Sequence, residues 1–255
     1  MRALEFTKRN LLEMSRDPLS YIFCVAFPIV MLVIMSVVNK SIPKEAGMTI
    51  FRIDNLAGGI AIFGQTFVML FSSLNVAKDR SSSFLIRLYA SPMKGMDFTV
   101  GYLLPMLIVA VIQVIISFAA ALAVACLTGG EIKPLGLLLA TFAVLPSALM
   151  FTAIGFLIGT LFHEKAAPGL CSILISLGSF VGGIWFDVDG VGGTIAKISK
   201  CTPFYYATKA ARAAIHLDLT GESFVIPMIS VLVTAVILTL IASFVFSRKM
   251  KSDLA

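Results

Sequence analysis

KDRSSSFLIRLYASPMKGMD, residues 78–97, is the longest polar interruption between two long apolar runs whose near ends lie on the same side of a membrane. It opens on the charged triplet Lys78-Asp79-Arg80 and passes through serines suited to capping a helix. A short amphipathic run follows, Phe84-Leu85-Ile86-Arg87-Leu88-Tyr89, and Ser91-Pro92 stops it. The stretch predicts a short helix at the membrane surface, placed where something in the cytoplasm can grip it. The remaining chain then reads as spans that such a grip can move.

Working outward, the chain turns strongly apolar. Of its 255 residues 58% are hydrophobic and 13% charged, more apolar sequence than a water-soluble domain of this size uses. The fold class is therefore an all-α polytopic membrane protein, read as a single transmembrane domain over 1–255. Six uncharged runs, 20–38, 55–77, 98–130, 134–162, 166–186 and 223–247, reach the roughly 20 residues that a helix needs to cross a bilayer. The third and fourth are longer than necessary and must tilt, kink or extend beyond the lipid. Pro28, Pro105 and Pro146 mark the expected kinks. Gly155 with Gly159 and Gly178 with Gly182 have GxxxG spacing, which fits close packing within the chain or between copies.

The net charge of +6 belongs to basic residues that flank the apolar runs, which matches anionic headgroups and orientation rather than nucleic acid. With the N-terminus in the cytoplasm, 12 Lys and Arg fall on that side and 8 on the other, so both termini are expected there. Residues 3–17 read as an amphipathic helix lying at the interface, with Leu4, Leu11, Leu12 and Met14 on one side and Phe6 on the wrong face. Asp17-Pro18 breaks it and starts the first span. The longest loop, 187–222, carries Gly190, Gly192 and Gly193, then Thr202-Pro203, then the helix-prone PFYYATKAARAAIHL, too short and too charged to span. With Trp185, Tyr205 and Tyr206 as interfacial anchors, it predicts a pair of short helices that dip into or cap the outer leaflet.

Several chemistries find no residues to carry them. Cys24, Cys126, Cys171 and Cys201 have neither disulfide-like nor metal-ligand spacing, and no signal-peptide cleavage site follows the first run. There is no GxxxxGK[ST] nucleotide loop, no HExxH, and no serine facing either His163 or His216. None of the six runs contains Asp, Glu, Lys, Arg or His, the groups by which coupled carriers hold their driving ion. Gln65, Asn75 and Gln113 are their notable polar side chains, read as interhelical hydrogen bonds or substrate contacts. A transporter built this way must take its energy from a partner.

Six spans, an N-terminal interfacial helix, a polar segment after span two and an outer hairpin before span six resemble the type-2 ABC transporter permeases, most closely small bacterial multidrug or antibiotic-resistance exporters. Asp79-Arg80 match the charges of that family's charged-Gly-Thr-Leu-x-x-Leu-x-x-x-Pro segment, Arg87-Leu88 its helix body and Ser91-Pro92 its end, with Ser83 where Gly-Thr is usual. Pro203-Phe204-Tyr205-Tyr206-Ala207 with Arg212 resembles its outer-hairpin pattern. The resemblance implies a separate ATP-binding subunit that carries ATP and Mg, no cofactor on this chain, and a second permease chain across a central path. It makes 78–91 the coupling helix, with 3–17 packed beside it. Lys78, Asp79, Arg80 and Arg87 would meet the ATPase groove, while Phe84, Leu85 and Leu88 pack on the groove or on a membrane-facing helix. Spans two and five would line the path through Phe63, Gln65, Phe67, Phe71, Phe180 and Trp185. It further implies a bacterial plasma membrane and an exported lipophilic drug, antibiotic or lipid-like substrate. A self-sufficient carrier or channel, an intramembrane enzyme, and a sensor or immunity subunit of the same fold are the alternative classes.

Overall fold

The computed structural model describes residues 2–43, 48–82, 84–85, 93 and 95–253. Every regular element among them is helical: α1 (Arg2–Ser15), α2 (Pro18–Ser41), α3 (Ile53–Ser81), α4 (Gly95–Thr128), α5 (Pro134–Leu161), α6 (Ala167–Val181), α7 (Val188–Val191), α8 (Gly193–Lys200), α9 (Pro203–His216) and α10 (Gly221–Met250). Five of them, α2, α3, α4, α5 and α10, are long and apolar enough to cross a membrane. The fifth expected run forms the shorter apolar α6, whose 15 residues reach about 22 Å at 1.5 Å each. Gly182-Gly183 ends it early: Gly183 takes φ +67°, a left-handed backbone that a helix cannot continue.

α3 is the centre of the bundle. Within its apolar window 83% of residues are buried, against 17% in α10 and 22% in α2, which leave their sides for lipid. The second half of α5 packs along α3 on one side and along α10 on the other, while α4 and α2 also pack on α3. Gly155 and Gly159 set the α3–α5 approach, since a Cβ on either would overlap the backbone oxygens of Met69 and Ser73. Their spacing is thus used inside the chain.

The prolines behave individually. Pro28 withholds a donor from the turn before it, and that turn, Ile22–Ala26, winds as a π-helix. Pro146 follows a break at Val144 (φ −90°, ψ 0°) that divides α5 into Pro134–Ala143 and Leu145–Leu161. Gln65 of α3 docks at the break: its Nε2 donates to Val144 O at 3.1 Å, which also accepts from Ala148 N at 3.0 Å, and Ser147 Oγ donates to its Oε1 at 2.7 Å. Pro105 sits inside α4, which continues through it.

α1 corrects one sequence expectation. Its buried face is Phe6, Thr7, Asn10 and Met14, whereas Leu4 and Leu12 are exposed. Phe6 is the residue that docks the helix, packing on Tyr102 (5.0 Å between centroids) and Phe98 (5.8 Å) of α4. A helix lying on a bundle has two apolar directions, protein and lipid, and a single wheel average conceals the first. Asp17 ends α1 as expected, capping the start of α2 by accepting from Leu19 N. The loop 187–222 holds α7, α8 and α9, with α9 packed across the N-terminal end of α3 and the first half of α5.

Candidate functional site

Lys78-Asp79-Arg80 forms the last turn of α3, and each of the three has a different environment. Asp79 is buried. It takes a two-pronged hydrogen bond from Arg9 of α1, Nη1 to Oδ2 at 2.7 Å and Nη2 to Oδ1 at 3.2 Å, and a third from Tyr102 OH of α4 at 2.8 Å. Three elements therefore close on one carboxylate, in the strong charge-assisted geometry of guanidinium on carboxylate. Arg9 also pairs with Glu13 at 2.7 Å, and Lys78 reaches the same Glu13 at 2.9 Å. Burial works against the Arg9 cation, but Asp79 and Glu13 outweigh it and hold its pKa above the ordinary value.

Arg80 turns the other way. Its Nη1 donates to the backbone oxygens of Gly159 and Thr160, the C-terminal carbonyls of α5, where a cation is favoured by the helix dipole. Ser81 Oγ donates to Glu164 at 2.9 Å just beyond α5. Asn10 Nδ2 donates to Gly101 O at 2.9 Å, fixing α1 on α4 a second time.

Beyond the turn, the guanidinium of Arg9 lies over the Phe84 ring at 4.0 Å. Leu85 is 1% exposed, in a cluster with Phe6, Phe98, Tyr102, Phe156 and Phe246. Of the residues expected to face a partner, Asp79, Arg80, Phe84 and Leu85 are thus engaged within the chain, and Lys78 is exposed while paired with Glu13. A carboxylate at the end of a buried helix finds its cation in the nearest element, here α1. Arg87 and Leu88, with Ser83 and the rest of 86–91, lie outside the described residues.

The expected lining residues separate into two sets. Phe63, Phe67 and Phe71 share one face of α3 and build a ladder with Phe23 and Phe27 of α2: Phe67–Phe27 centroids are 5.3 Å apart, Phe63–Phe27 5.9 Å and Phe71–Phe23 6.5 Å. Trp185 extends it, 5.0 Å from Phe63. Gln65 is buried on the α5 side of α3 at the Val144 break, and Phe180 is exposed, its ring beside Phe186 at 6.3 Å. Sequence reasoning missed Arg9, Tyr102, Phe23 and Phe27. Only the i, i+4 pairing of Arg9 with Glu13 left a local trace.

Five long apolar helices, joined at their ends by buried polar latches, define a polytopic helical membrane protein. The family description that matches is "ABC-2 type transporter", over residues 3–216. The chain belongs to that family and is a transmembrane subunit of an ABC transporter; such permeases work with ATP-binding subunits and are not themselves catalytic. No curated protein matches the chain.

Proposed function

We propose that the chain is the permease of an ATP-driven exporter, in which two permease chains and two ATP-binding subunits move a lipophilic drug, antibiotic or lipid-like molecule outward across a bacterial plasma membrane. In this reading both termini are cytoplasmic and 78–91 is the handle that the ATPase moves. The observation that supports it most is the closure of α1, α3 and α4 on Asp79. A push on the segment after Ser81 is transmitted to three helices only if that end is stiff, and interdomain transitions work through such rigid bodies. Here Asp79 and Arg80 stiffen the base of the handle from inside, and in this reading the exposed Lys78, beside Glu13, and Arg87 meet the ATPase. Phe63, Phe67 and Phe71 are buried behind α2, and the aromatic surface left for lipophilic cargo is that of Phe23, Phe180 and Trp185.

The test is recovery and reconstitution. The tagged chain, purified from its native membrane, is expected to bring an ATP-binding-cassette ATPase with it. The pair, in liposomes, should move a lipophilic dye only when ATP is supplied. Dye movement by the chain alone without ATP would return the secondary-carrier reading. Recovery of the ATPase with no ATP-dependent movement of any lipophilic probe would favour the sensor reading.

A further inference from the structure

Where α1 ends and α2 begins, the two helices and the middle of α4 enclose an apolar groove of about 380 Å³. Four of the five residues in the π-turn of α2 line it, so the irregular winding before Pro28 supplies one wall. The groove has a floor and lips. Met14, Ser20 and Cys24 are buried within it, whereas Ile22, Ile112 and Ile116 stand exposed at its edge.

Its hydroxyl donors near the floor are already used. Ser20 Oγ donates to Asp17 Oδ2 at 2.6 Å, and Ser15 Oγ donates to Leu12 O at 2.8 Å. Water held in a cavity needs two to four polar partners, and this lining does not offer them. The space therefore suits an apolar guest, and its volume lies within the range of ligand pockets. α2 and α4 are both long and apolar enough to cross a membrane, so the exposed lips continue directly into surface that the bilayer covers. α2 also packs more extensively on α3 than on α4, which leaves the gap toward α4 unfilled by the chain.

We propose that the groove holds one acyl chain of a phospholipid from the leaflet on the α1 side, retained there while the rest of the lipid shell exchanges. The medium that already touches Ile22 and Ile112 supplies such chains, and a flexible hydrocarbon can follow the concave path to Met14 and Cys24. The headgroup then stays at the level of α1, beside the exposed Tyr21, a side chain suited to the membrane interface. The lipid supplies the packing that α2 lacks toward α4 and ties α1 to the first span. The inference rests on the membrane class of the chain and not on its cargo or energy source.

The full chain in phosphatidylcholine nanodiscs is given a trace of phosphatidylcholine with a diazirine midway along one acyl chain. Adducts formed on illumination are mapped by peptide mass spectrometry, before and after transfer to detergent and washing. Adducts within 11–26 and 109–116 should survive the washing, while those on the exposed α10 residues Val236 and Leu240 should disappear. Equal labelling of α2, α4 and α10, lost equally on washing, overturns the proposal and leaves an ordinary lipid shell. Displacement of the groove adducts by a lipophilic dye, with other adducts unchanged, makes the groove a cargo site and also overturns it. Ile112→Trp fills the groove from its α4 lip. It should raise the lipid concentration for half-maximal groove labelling in detergent by about tenfold or more, the effect of excluding two buried methylenes. Val236→Trp should leave that concentration unchanged, and an unchanged value in Ile112→Trp overturns the proposal. If Ile112→Trp does not fold, the adduct map of the wild-type chain decides alone.

Discussion

Asp79 is a buried carboxylate held by three hydrogen bonds from two side chains. Replacing it by Asn keeps the shape but removes the charge that Arg9 grips with two donors and Tyr102 with a third. Asp79→Asn should lower unfolding stability of the full chain in detergent by about 1.5–3 kcal/mol, the range for hydrogen bonds to a charged group. An Arg9→Ala, Asp79→Ala double-mutant cycle should show the two effects to be non-additive. Additive losses, or a loss below about 0.5 kcal/mol for the single change, which is the scale of a surface substitution, would mean the latch is not a structural joint. This site was half legible in the sequence. The charged triplet and its position at the end of a span could be read directly, but its main partner lies 70 residues away in sequence. Nothing local shows a carboxylate beside two basic residues to be buried, because the burial is supplied by α1.

Helices were more legible than their faces or ends. Apolar runs of sufficient length located α2, α3, α4, α5 and α10, since crossing a bilayer is a matter of length and composition. The inner face of α1 and the early end of α6 were not, because both depend on what lies alongside. Gln65 shows why: hydrogen bonding was the expectation for it, yet its partners, the Val144 carbonyl and Ser147, lie on a helix about 80 residues further along the chain. The loop from α7 to α9 has its own prediction. Burial works to raise the Asp189 pKa, but the hydrogen bonds from Tyr205 and Lys200 outweigh it and hold it below the usual value. A carboxylate held lower in the folded state contributes stability that is present above its unfolded value, about 3.9, and lost as pH falls through the folded one. Hydrogen exchange over 187–216, corrected for intrinsic rates, should therefore be flat down to about pH 4 and rise below it. Asp189→Asn should remove that acid-side rise; its persistence would assign the rise to other carboxylates.

For the whole molecule, orientation is the first property to test. Single cysteines introduced by Ser41→Cys, Thr194→Cys and Ser252→Cys in a cysteine-free background should react with an impermeant thiol reagent at 41 and 194 in intact cells and stay silent at 252. Labelling at 252 with silence at 194 inverts the arrangement. The central place of α3 carries a further consequence, for biogenesis. It is the least hydropathic of the five spans, it holds Gln65, Thr66, Ser72 and Ser73 in its buried faces, and its most extensive neighbour, α5, is made about 80 residues later. A helix leaving the translocon at that moment exposes polar groups to lipid with no partner to receive them. It should therefore linger at the insertion machinery until α5 emerges. Nascent chains truncated before Pro134 should leave α3 crosslinkable to the translocon, and chains extended past Leu161 should release it. Early release from the shorter chains would mean that α3 partitions alone, and that the bundle assembles around a helix already in the lipid.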